Sequence, residues 1–198
     1  MIHNIVVTGI GGQGVTFAST LLRQAIGLKF GRFAGYDDRS GAQRFGHVSS
    51  VIRFSLDRSY RGPLALDLPD RQAQWAIALE ATELIRFSGK LAVGAVVIMD
   101  RCVVVPTNVR RVDGPYPRAD EVAAALSDLG CSVDLRDLRA VARGLTGSPV
   151  DANLVALGLF AQKSGGLLSP VDLEPVAPER EMSVIRHGFA LPPEEPEP

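Results

Sequence analysis

The chain has 198 residues, of which 46% are hydrophobic and 22% charged, and its formal net charge is −1. These are globular proportions, and the length suits one domain with a full hydrophobic core. A net charge this close to zero attracts neither nucleic acid nor an anionic membrane, and the longest apolar run, residues 91–99, is far shorter than the ~20 residues of a membrane-spanning helix. No secretory signal pattern precedes the first strand, so we expect a cytoplasmic protein without nucleic-acid or membrane partners.

The first predicted unit is a buried strand over residues 5–8, followed by a glycine-rich turn and a helix. Glycine reaches positive φ without steric cost and has no Cβ, so other groups can approach its backbone N–H closely. The turn glycines have the spacing of the dinucleotide fingerprint, in which free N–H groups at a helix N-terminus hold a pyrophosphate. They are Gly9, Gly11, Gly12 and Gly14. Two interpretations are open: the turn binds a ligand, or its glycines only let the helix pack tightly against the sheet.

Two acidic residues follow a short second strand, which is predicted over residues 32–36. In a dinucleotide-binding fold, a carboxylate at the tip of the second strand binds the ribose. Asp37 and Asp38 occupy that place in the sequence. They favour a free-standing NAD- or flavin-binding protein as one hypothesis, and the alternative is that they only form a turn at the strand end.

A polar loop over residues 39–47 leads into a third predicted strand over residues 48–55. The loop holds Arg39, Gln43, Arg44 and His47. Arginine presents a planar fork of donors to phosphate or carboxylate, so this loop near the glycine turn suits an anionic ligand. The alternative is a solvated bend, which is the usual role of loop arginines.

Short buried strands and helices alternate along the rest of the chain. Strands are predicted over residues 75–79, 95–99 and 131–135, and helices over residues 80–87, 119–129, 137–143 and 179–189. A further helix begins at Asp151 as its N-cap and stops before Gly165, whereas the proline-containing residues 102–117 are predicted to be extended or looped. The alternation predicts an α/β fold with a mainly parallel central sheet flanked by helices and a Rossmann-like first βα unit.

The sequence shows no self-sufficient catalytic or metal site. Cys102 and Cys131 lie far apart without a C-x-x-C partner, so they cannot form a disulfide framework or an iron–sulfur site by themselves. The three histidines have no serine, cysteine or carboxylate at a spacing that marks a nucleophile or a metal site. We expect one domain over residues 1–191 and a disordered tail of proline and glutamate over residues 192–198.

Four segments, in this order, carry a family resemblance. Residues 9–14 read G-I-G-G-Q-G, residues 41–46 read G-A-Q-R-F-G, residues 48–53 read V-S-S-V-I-R and residues 151–153 read D-A-N. With them the chain resembles, over roughly its whole length, the small gamma-type subunit of 2-oxoacid:ferredoxin oxidoreductases, and in particular the beta subunit of indolepyruvate ferredoxin oxidoreductase. That family has two glycines after the arginine, whereas this chain has Phe45 and Gly46, which indicates a pocket of different shape.

The resemblance implies oxidative decarboxylation of an indolepyruvate- or arylpyruvate-like 2-oxoacid to an acyl-CoA, with electrons passed to ferredoxin. It implies that thiamine diphosphate, Mg²⁺ and 4Fe–4S clusters sit on a larger partner subunit and that this chain is inactive alone. In relatives that use coenzyme A, the matching domain is associated with the coenzyme A side of the active site. Arg44 is the candidate for a contribution to the shared catalytic site. The candidates for cofactor binding are Gly9, Gly11, Gly12, Gln13, Gly14, Gln43 and Arg44.

Overall fold

A computed structural model describes residues 1–39, 46–105 and 116–193 of the chain. Within these residues, six strands form one sheet in the order β2–β3–β1–β4–β5–β6. Gln43, Arg44 and residues 194–198 of the predicted tail lie outside the described residues. The strands are β1 (Ile2–Ile10), β2 (Phe33–Arg39), β3 (His47–Ser55), β4 (Ala73–Ala78), β5 (Leu91–Asp100) and β6 (Ser132–Arg136).

Helices flank this sheet, as the alternating sequence pattern predicts. The bounds of α6 are those predicted, α2 ends one residue early, and α3 continues three residues beyond its predicted end. Within the described residues, 3₁₀ helices span Thr82–Lys90 and Pro149–Asp151. The α-helices are α1 (Val15–Phe30), α2 (Ala119–Asp128), α3 (Leu138–Thr146), α4 (Ala152–Lys163), α5 (Pro170–Leu173) and α6 (Glu179–Phe189).

The sheet is mainly parallel, which confirms the predicted fold class. β4 runs parallel to both β1 and β5, and β5 runs parallel to β6. β3 is the exception, because it lies antiparallel between β1 and β2. The connection from β2 to β3 is only residues 40–46, too short for the crossover that parallel neighbours need, so the chain returns in the opposite direction. The sequence pattern does not predict this reversal.

The two faces of the sheet bury different helices. Ile5 and Val7 of β1 belong to the core formed with α1, α3, α4 and α6, whereas Val6 belongs to the core formed with α2 and the first 3₁₀ helix. On the first face α4 is almost wholly buried, from Ala152 through the following nine residues. The polar side chain of Asn153 in its first turn is therefore held inside the protein.

The first strand is longer than predicted. Gly9 and Ile10 continue β1 because they pair with Val48 and His47 of β3. Gly9 is therefore a strand residue, and the turn itself begins only at the following glycine. The prediction that places Gly9 in the turn is wrong, since a strand partner that the local sequence does not show extends the ladder.

Two helix starts also differ from prediction. The helix predicted to begin at Glu80 is a 3₁₀ helix over Thr82–Lys90. Glu80 lies before it, and its carboxylate accepts from the Glu83 N–H at 2.8 Å. Asp151 precedes α4 as predicted, but it lies in a short 3₁₀ turn and makes no side-chain cap. Its carboxylate instead lies 3.2 Å from Nη2 of Arg180.

A buried arginine ties β3 to β1 at the end of the sheet opposite the glycine turn. Arg53 of β3 is only 7% exposed, and its Nε donates to Oδ1 of Asn4 in β1 at 2.7 Å. Its Nη1 donates to the carbonyl oxygens of Ala65 and Asp67 in the loop before β4. Because a buried guanidinium is tolerated only when its donors are satisfied, this network ties the loop to the sheet. Asn4 is six residues, or about 20 Å, from the end of β1, so Arg53 is structural.

We expect Arg53→Met to lower the free energy of unfolding by about 3 kcal/mol, because the Asn4 amide oxygen and two loop carbonyls lose their charged donor. Methionine keeps an unbranched apolar chain there, so the loss reports hydrogen bonds more than a cavity. Urea denaturation of the full chain measures the difference. Arg58→Met, in the exposed loop after β3, is the control and should change the free energy by less than about 0.5 kcal/mol. Equal effects of the two variants would contradict the assigned role.

Candidate functional site

A cavity opens at the carboxyl ends of three neighbouring parallel strands, β1, β4 and β5. Its volume is about 420 Å³, within the range of small-molecule sites. From β1 the chain continues to β2 on one side, and from β4 it continues to β5 on the other. Such a switch point is where open α/β sheets bind ligands. The described residues that line the cavity are Ile10, Gly11, Gly12, Gln13, Leu79, Asp100, Val104, Arg139, Pro149, Val150 and Ala152.

Gly11 and Gly12 of the turn line this cavity. The Gly11 N–H donates to the Gly46 carbonyl at 2.8 Å, which ties the turn to the residue before β3. Gly12 has φ +98°, and a Cβ at this position would meet nothing within 4 Å. Among the residues that the structure describes, the Gly12 N–H has no hydrogen-bond partner. Gly12 is therefore the position at which another molecule can approach the backbone.

Gly9 and Gly14 are required for packing. A Cβ on Gly9 would lie 2.5 Å from Oε1 of Gln13, because that oxygen folds back to accept from the Ile10 N–H at 2.9 Å. Gly14 has φ +78°, and a Cβ on it would lie 1.9 Å from Nδ2 of Asn153 in α4. These contacts support the packing interpretation for the two glycines, while a ligand-binding role for them stays a prediction.

The N-terminus of α1 opens beside the turn. Its N-cap, Gly14, has no side chain with which to cap the first-turn N–H groups. Arg39, the last residue of β2, donates from Nη2 to Oγ1 of Thr16 in that first turn at 3.1 Å. Free N–H groups, the helix dipole and this guanidinium together make the helix start favourable for an anion.

A carboxylate and a guanidinium that the sequence pattern did not indicate, those of Asp100 and Arg139, also line the cavity. Asp100 ends β5 and is 1% exposed. Its Oδ1 accepts from the Leu138 N–H at 3.1 Å, and its Oδ2 lies 3.3 Å from Nε of Arg139. Burial raises the pKa of Asp100 to about 6, although Arg139 and the Leu138 N–H oppose the shift. The available signal was position, because Asp100 directly follows the strand predicted over residues 95–99.

A second buried carboxylate holds part of the cavity wall. Glu80 follows β4 and is fully buried. Its Oε2 accepts from Thr82 Oγ1 and from the Glu83 N–H, both at 2.8 Å, and its Oε1 accepts from the Val104 N–H at 2.9 Å. Burial raises the pKa of Glu80 against the effect of these hydrogen bonds. Because Val104 lines the cavity, Glu80 fixes the wall that this residue forms.

His47 bonds to a carboxylate in the structure. Nδ1 of His47 lies 2.5 Å from Oε2 of Glu83, and Nε2 lies 3.1 Å from Oγ of Ser49. Arg86 Nε donates to the same Glu83 oxygen at 2.8 Å. Burial raises the pKa of Glu83, but the hydrogen bonds from His47 and Arg86 outweigh it and hold the pKa below its usual value. The contact between His47 and Glu83 anchors the start of β3 to the first 3₁₀ helix.

The aspartates of the second strand do not lie where the dinucleotide pattern places them. Asp37 and Asp38 lie within β2 and not in a turn, so both predictions about their place are corrected. The Asp37 carboxylate accepts two hydrogen bonds from Arg23, at 2.5 and 3.2 Å. Burial raises the pKa of Asp37, but the bonds from Arg23 and Ser50 hold it below its usual value. Because β3 lies between β2 and β1, Asp37 is two strand spacings, about 10 Å, from β1.

Side chains of the types that bind metals do not cluster in the described part of the chain. Over residues 1–39, 46–105 and 116–193, no group of three or more His, Cys, Asp or Glu side chains is arranged to hold a metal ion. Burial raises the pKa of the Cys102 thiol to about 11, which disfavours the thiolate that metals bind. In the same described part of the chain, no helix is long and apolar enough to cross a membrane.

The structure is an α/β domain with an open cavity at the carboxyl ends of its parallel strands. The chain belongs to the pyruvate ferredoxin/flavodoxin oxidoreductase family, whose profile matches residues 4–181. A similar curated protein is the indolepyruvate oxidoreductase subunit IorB of Methanothermobacter thermautotrophicus. It is 32% identical over 165 residues, which cover 83% of this chain and 81% of the relative. The family resemblance carried by the sequence segments is thus confirmed.

Solved structures show the same fold. The gamma subunit of a keto/oxoacid ferredoxin oxidoreductase from Geobacter sulfurreducens PCA matches with a TM-score of 0.63 and 22% identity, over 96% of this chain and 93% of that chain. The 2-oxoglutarate:ferredoxin oxidoreductase from Magnetococcus marinus matches with a TM-score of 0.56 and 16% identity, over 98% of this chain and 32% of that chain. The family match and the similarity to the curated subunit identify the chain as a small subunit of a 2-oxoacid:ferredoxin oxidoreductase.

We expect Asp100→Asn to change how stability depends on pH. A carboxyl with a raised pKa keeps its proton in the folded chain after the unfolded chain has lost it, so its contribution to stability falls as pH rises. The loss is about 1.4 kcal/mol per pH unit between roughly pH 4, the unfolded value, and pH 6. The free energy of unfolding of the variant, minus that of the parent, should therefore rise by about 2 kcal/mol from pH 4 to pH 7.

Urea denaturation at a series of pH values measures this difference. Asp128→Asn, at the exposed end of α2, is the matched control, and its difference from the parent should change far less over the same range. A difference between Asp100→Asn and the parent that is independent of pH would show that Asp100 does not titrate in this window.

Proposed function

We propose that this chain is the subunit without bound cofactors of an enzyme that decarboxylates an indolepyruvate- or arylpyruvate-like 2-oxoacid oxidatively to an acyl-CoA and passes electrons to ferredoxin. The observation that carries the proposal is the open cavity at the β1–β4 switch point beside Gly12, in a chain of this family. The name of the Methanothermobacter relative, over most of both chains, supports the choice of 2-oxoacid.

We place thiamine diphosphate, Mg²⁺ and 4Fe–4S clusters on a larger partner subunit. The donor set described in this chain does not suit them: Cys102 contacts Gln13 Nε2 at 3.7 Å, Cys131 lies in the core on the other face with α2, and burial raises the pKa of both thiols. When bound there, thiamine diphosphate supplies the decarboxylation chemistry and the clusters carry the electrons. The residues of this chain then bind and orient a substrate and exclude water from it.

Coenzyme A is the ligand we propose for the cavity, where the turn would hold its phosphates. The Magnetococcus enzyme that shares this fold was solved with 2-oxoglutarate, coenzyme A and succinyl-CoA bound. In this chain the Gly11 N–H is already used by Gly46, and the Gln13 N–H donates to the Ile10 carbonyl at 3.2 Å. The donors left for phosphate are the Gly12 N–H and the uncapped first turn of α1.

Gln43 and Arg44 are proposed to face the active site of the partner subunit. Both lie outside the described residues, but the residues that flank their segment are in place. Arg39 contacts the first turn of α1, and Gly46 bonds to the glycine turn. These two contacts place the flanking residues beside the glycine turn and the start of α1, which supports a role for Arg44 at an anionic or carbonyl group of the shared site.

Reconstitution tests the proposed function. The full chain, the larger subunit of the same source and the two combined are assayed for dye reduction that depends on both a 2-oxoacid and coenzyme A. We expect turnover only in the combined sample, with indolepyruvate or phenylpyruvate preferred to pyruvate, because the isolated chain lacks the required cofactor ligands. Metal and thiamine analysis of each sample is the control. Turnover by the chain alone would overturn the division of labour, and an inactive reconstituted complex would overturn the function.

Gly12→Val tests whether the turn admits a ligand. The side chain would fill the open space at Gly12, so kcat/KM for coenzyme A in the reconstituted enzyme should fall at least tenfold, which corresponds to about 1.4 kcal/mol. Gly165→Val is the matched control. Gly165 also has positive φ, +67°, with open space around it, so it carries similar backbone strain. It follows the far end of α4, about 18 Å along the helix from the cavity. Equal effects of the two variants would leave the turn with a packing role only.

A further inference from the structure

One cation among the described lining residues faces the cavity, and the proposed function does not use it. Arg139 is the second residue of α3, and its side chain is 32% exposed. It lines the same cavity as Gly12, which lies at the end of β1. The cavity therefore has a guanidinium on one wall and the open backbone of the turn on another.

Asp100 holds this guanidinium by one edge. Its Oδ2 lies 3.3 Å from Nε of Arg139, while its Oδ1 is fixed by the Leu138 N–H at 3.1 Å. The carboxylate is itself almost wholly buried, so its position is set by β5 and the start of α3. Among the described residues, neither terminal nitrogen of Arg139 has a hydrogen-bond partner. The Nη1–Nη2 edge is the one that binds an oxyanion with two parallel hydrogen bonds.

We propose that Arg139 binds an oxyanion of the ligand in this cavity and that Asp100 is its positioning residue. The inference rests on the proposed function and names a group that recognises the ligand there. Oδ2 of Asp100 forms an ion pair with Nε of Arg139 but no hydrogen bond. This ion pair keeps the carboxylate on the Nε side of the guanidinium and leaves the Nη1–Nη2 edge for a second anion. The first turn of α3 is already capped, because the Leu138 N–H donates to Asp100 and the Ala140 N–H donates to Asp137, so the inference rests on the guanidinium and not on the helix start.

The chemistry that Arg139 recognises is a phosphate or a carboxylate oxygen pair. In the proposed reaction these have two sources, the phosphates of coenzyme A and the carboxylate of the 2-oxoacid. A charge-assisted bidentate contact that is lost on substitution should raise the KM for the substrate that carries the anion by about 10- to 100-fold. The KM that changes therefore identifies the source.

The experiment compares three variants in the reconstituted enzyme. Arg139→Gln removes the charge, and Arg139→Lys keeps a charge beside Asp100 but lacks the fork. Arg143→Gln, four residues further along α3 and exposed, is the matched control. KM for coenzyme A, KM for the 2-oxoacid and kcat are measured for each, after thermal unfolding has shown that each complex is folded.

We expect Arg139→Gln to raise one of the two KM values about 10- to 100-fold, Arg139→Lys to raise the same KM by less, and Arg143→Gln to match the parent. A raised KM for coenzyme A identifies a phosphate, and a raised KM for the 2-oxoacid identifies its carboxylate. If the parent turns over while Arg139→Gln keeps both KM values, or is folded but no different from Arg143→Gln, the inference is overturned and the proposed function stands. If the parent complex itself is inactive, the proposed function has failed.

Discussion

The antiparallel pairing of β1 with β3 is the constraint on which the site depends. The ladder reaches Ile10 opposite His47, and the bond from the Gly11 N–H to the Gly46 carbonyl continues it past the strand ends. This pairing makes Gly9 a strand residue, moves β2 one strand away from β1, and brings the entry of β3 to the cavity. In a dinucleotide fold β2 lies directly beside β1, where its terminal carboxylate reaches the ribose. Strand pairing, and not the glycine spacing, therefore decides which kind of site the first βα unit builds.

Two buried carboxylates organise the other side of the cavity. Glu80 follows the parallel strand β4 and Asp100 ends the parallel strand β5. Each accepts from the backbone of a later segment, Glu80 from Val104 and Asp100 from Leu138. Hydrogen bonds to a charged acceptor contribute about 1.5–3 kcal/mol each, yet burial still raises the pKa of both groups. The ionised carboxylates of Glu80 and Asp100 therefore lower the free energy of unfolding at neutral pH, while their hydrogen bonds hold the cavity walls in place. Buried, perturbed acids at the carboxyl edge of a sheet are more typical of functional sites than of cores.

The sequence predicts what local pattern determines. Buried β-branched runs and capped helices identify the alternation, and α6 matches its predicted bounds because periodicity and charge at its ends are local features. The reversal of β3 and the pairing of Asp100 with Arg139 depend on which elements meet in space, so no local pattern shows them. A positional rule would have found the acids, because Glu80 and Asp100 are the first acidic residues after two buried parallel strands. Arg139 has no such signal, since in the sequence it is an ordinary residue of a helix start.

The glycines of the fingerprint have different roles, which follow from the atoms that surround each of them. Gly9 makes room for the Gln13 side chain and Gly14 for Asn153, so these two positions are required by packing alone. A tight strand–turn–helix unit that packs on a second helix needs small residues at those positions whether or not it binds a nucleotide. Gly12, in contrast to Gly9 and Gly14, faces open space, and it supplies room and one N–H. The chemistry of the cavity is therefore set by the side chains that β5 and α3 bring to it, and the ligand must be read from them.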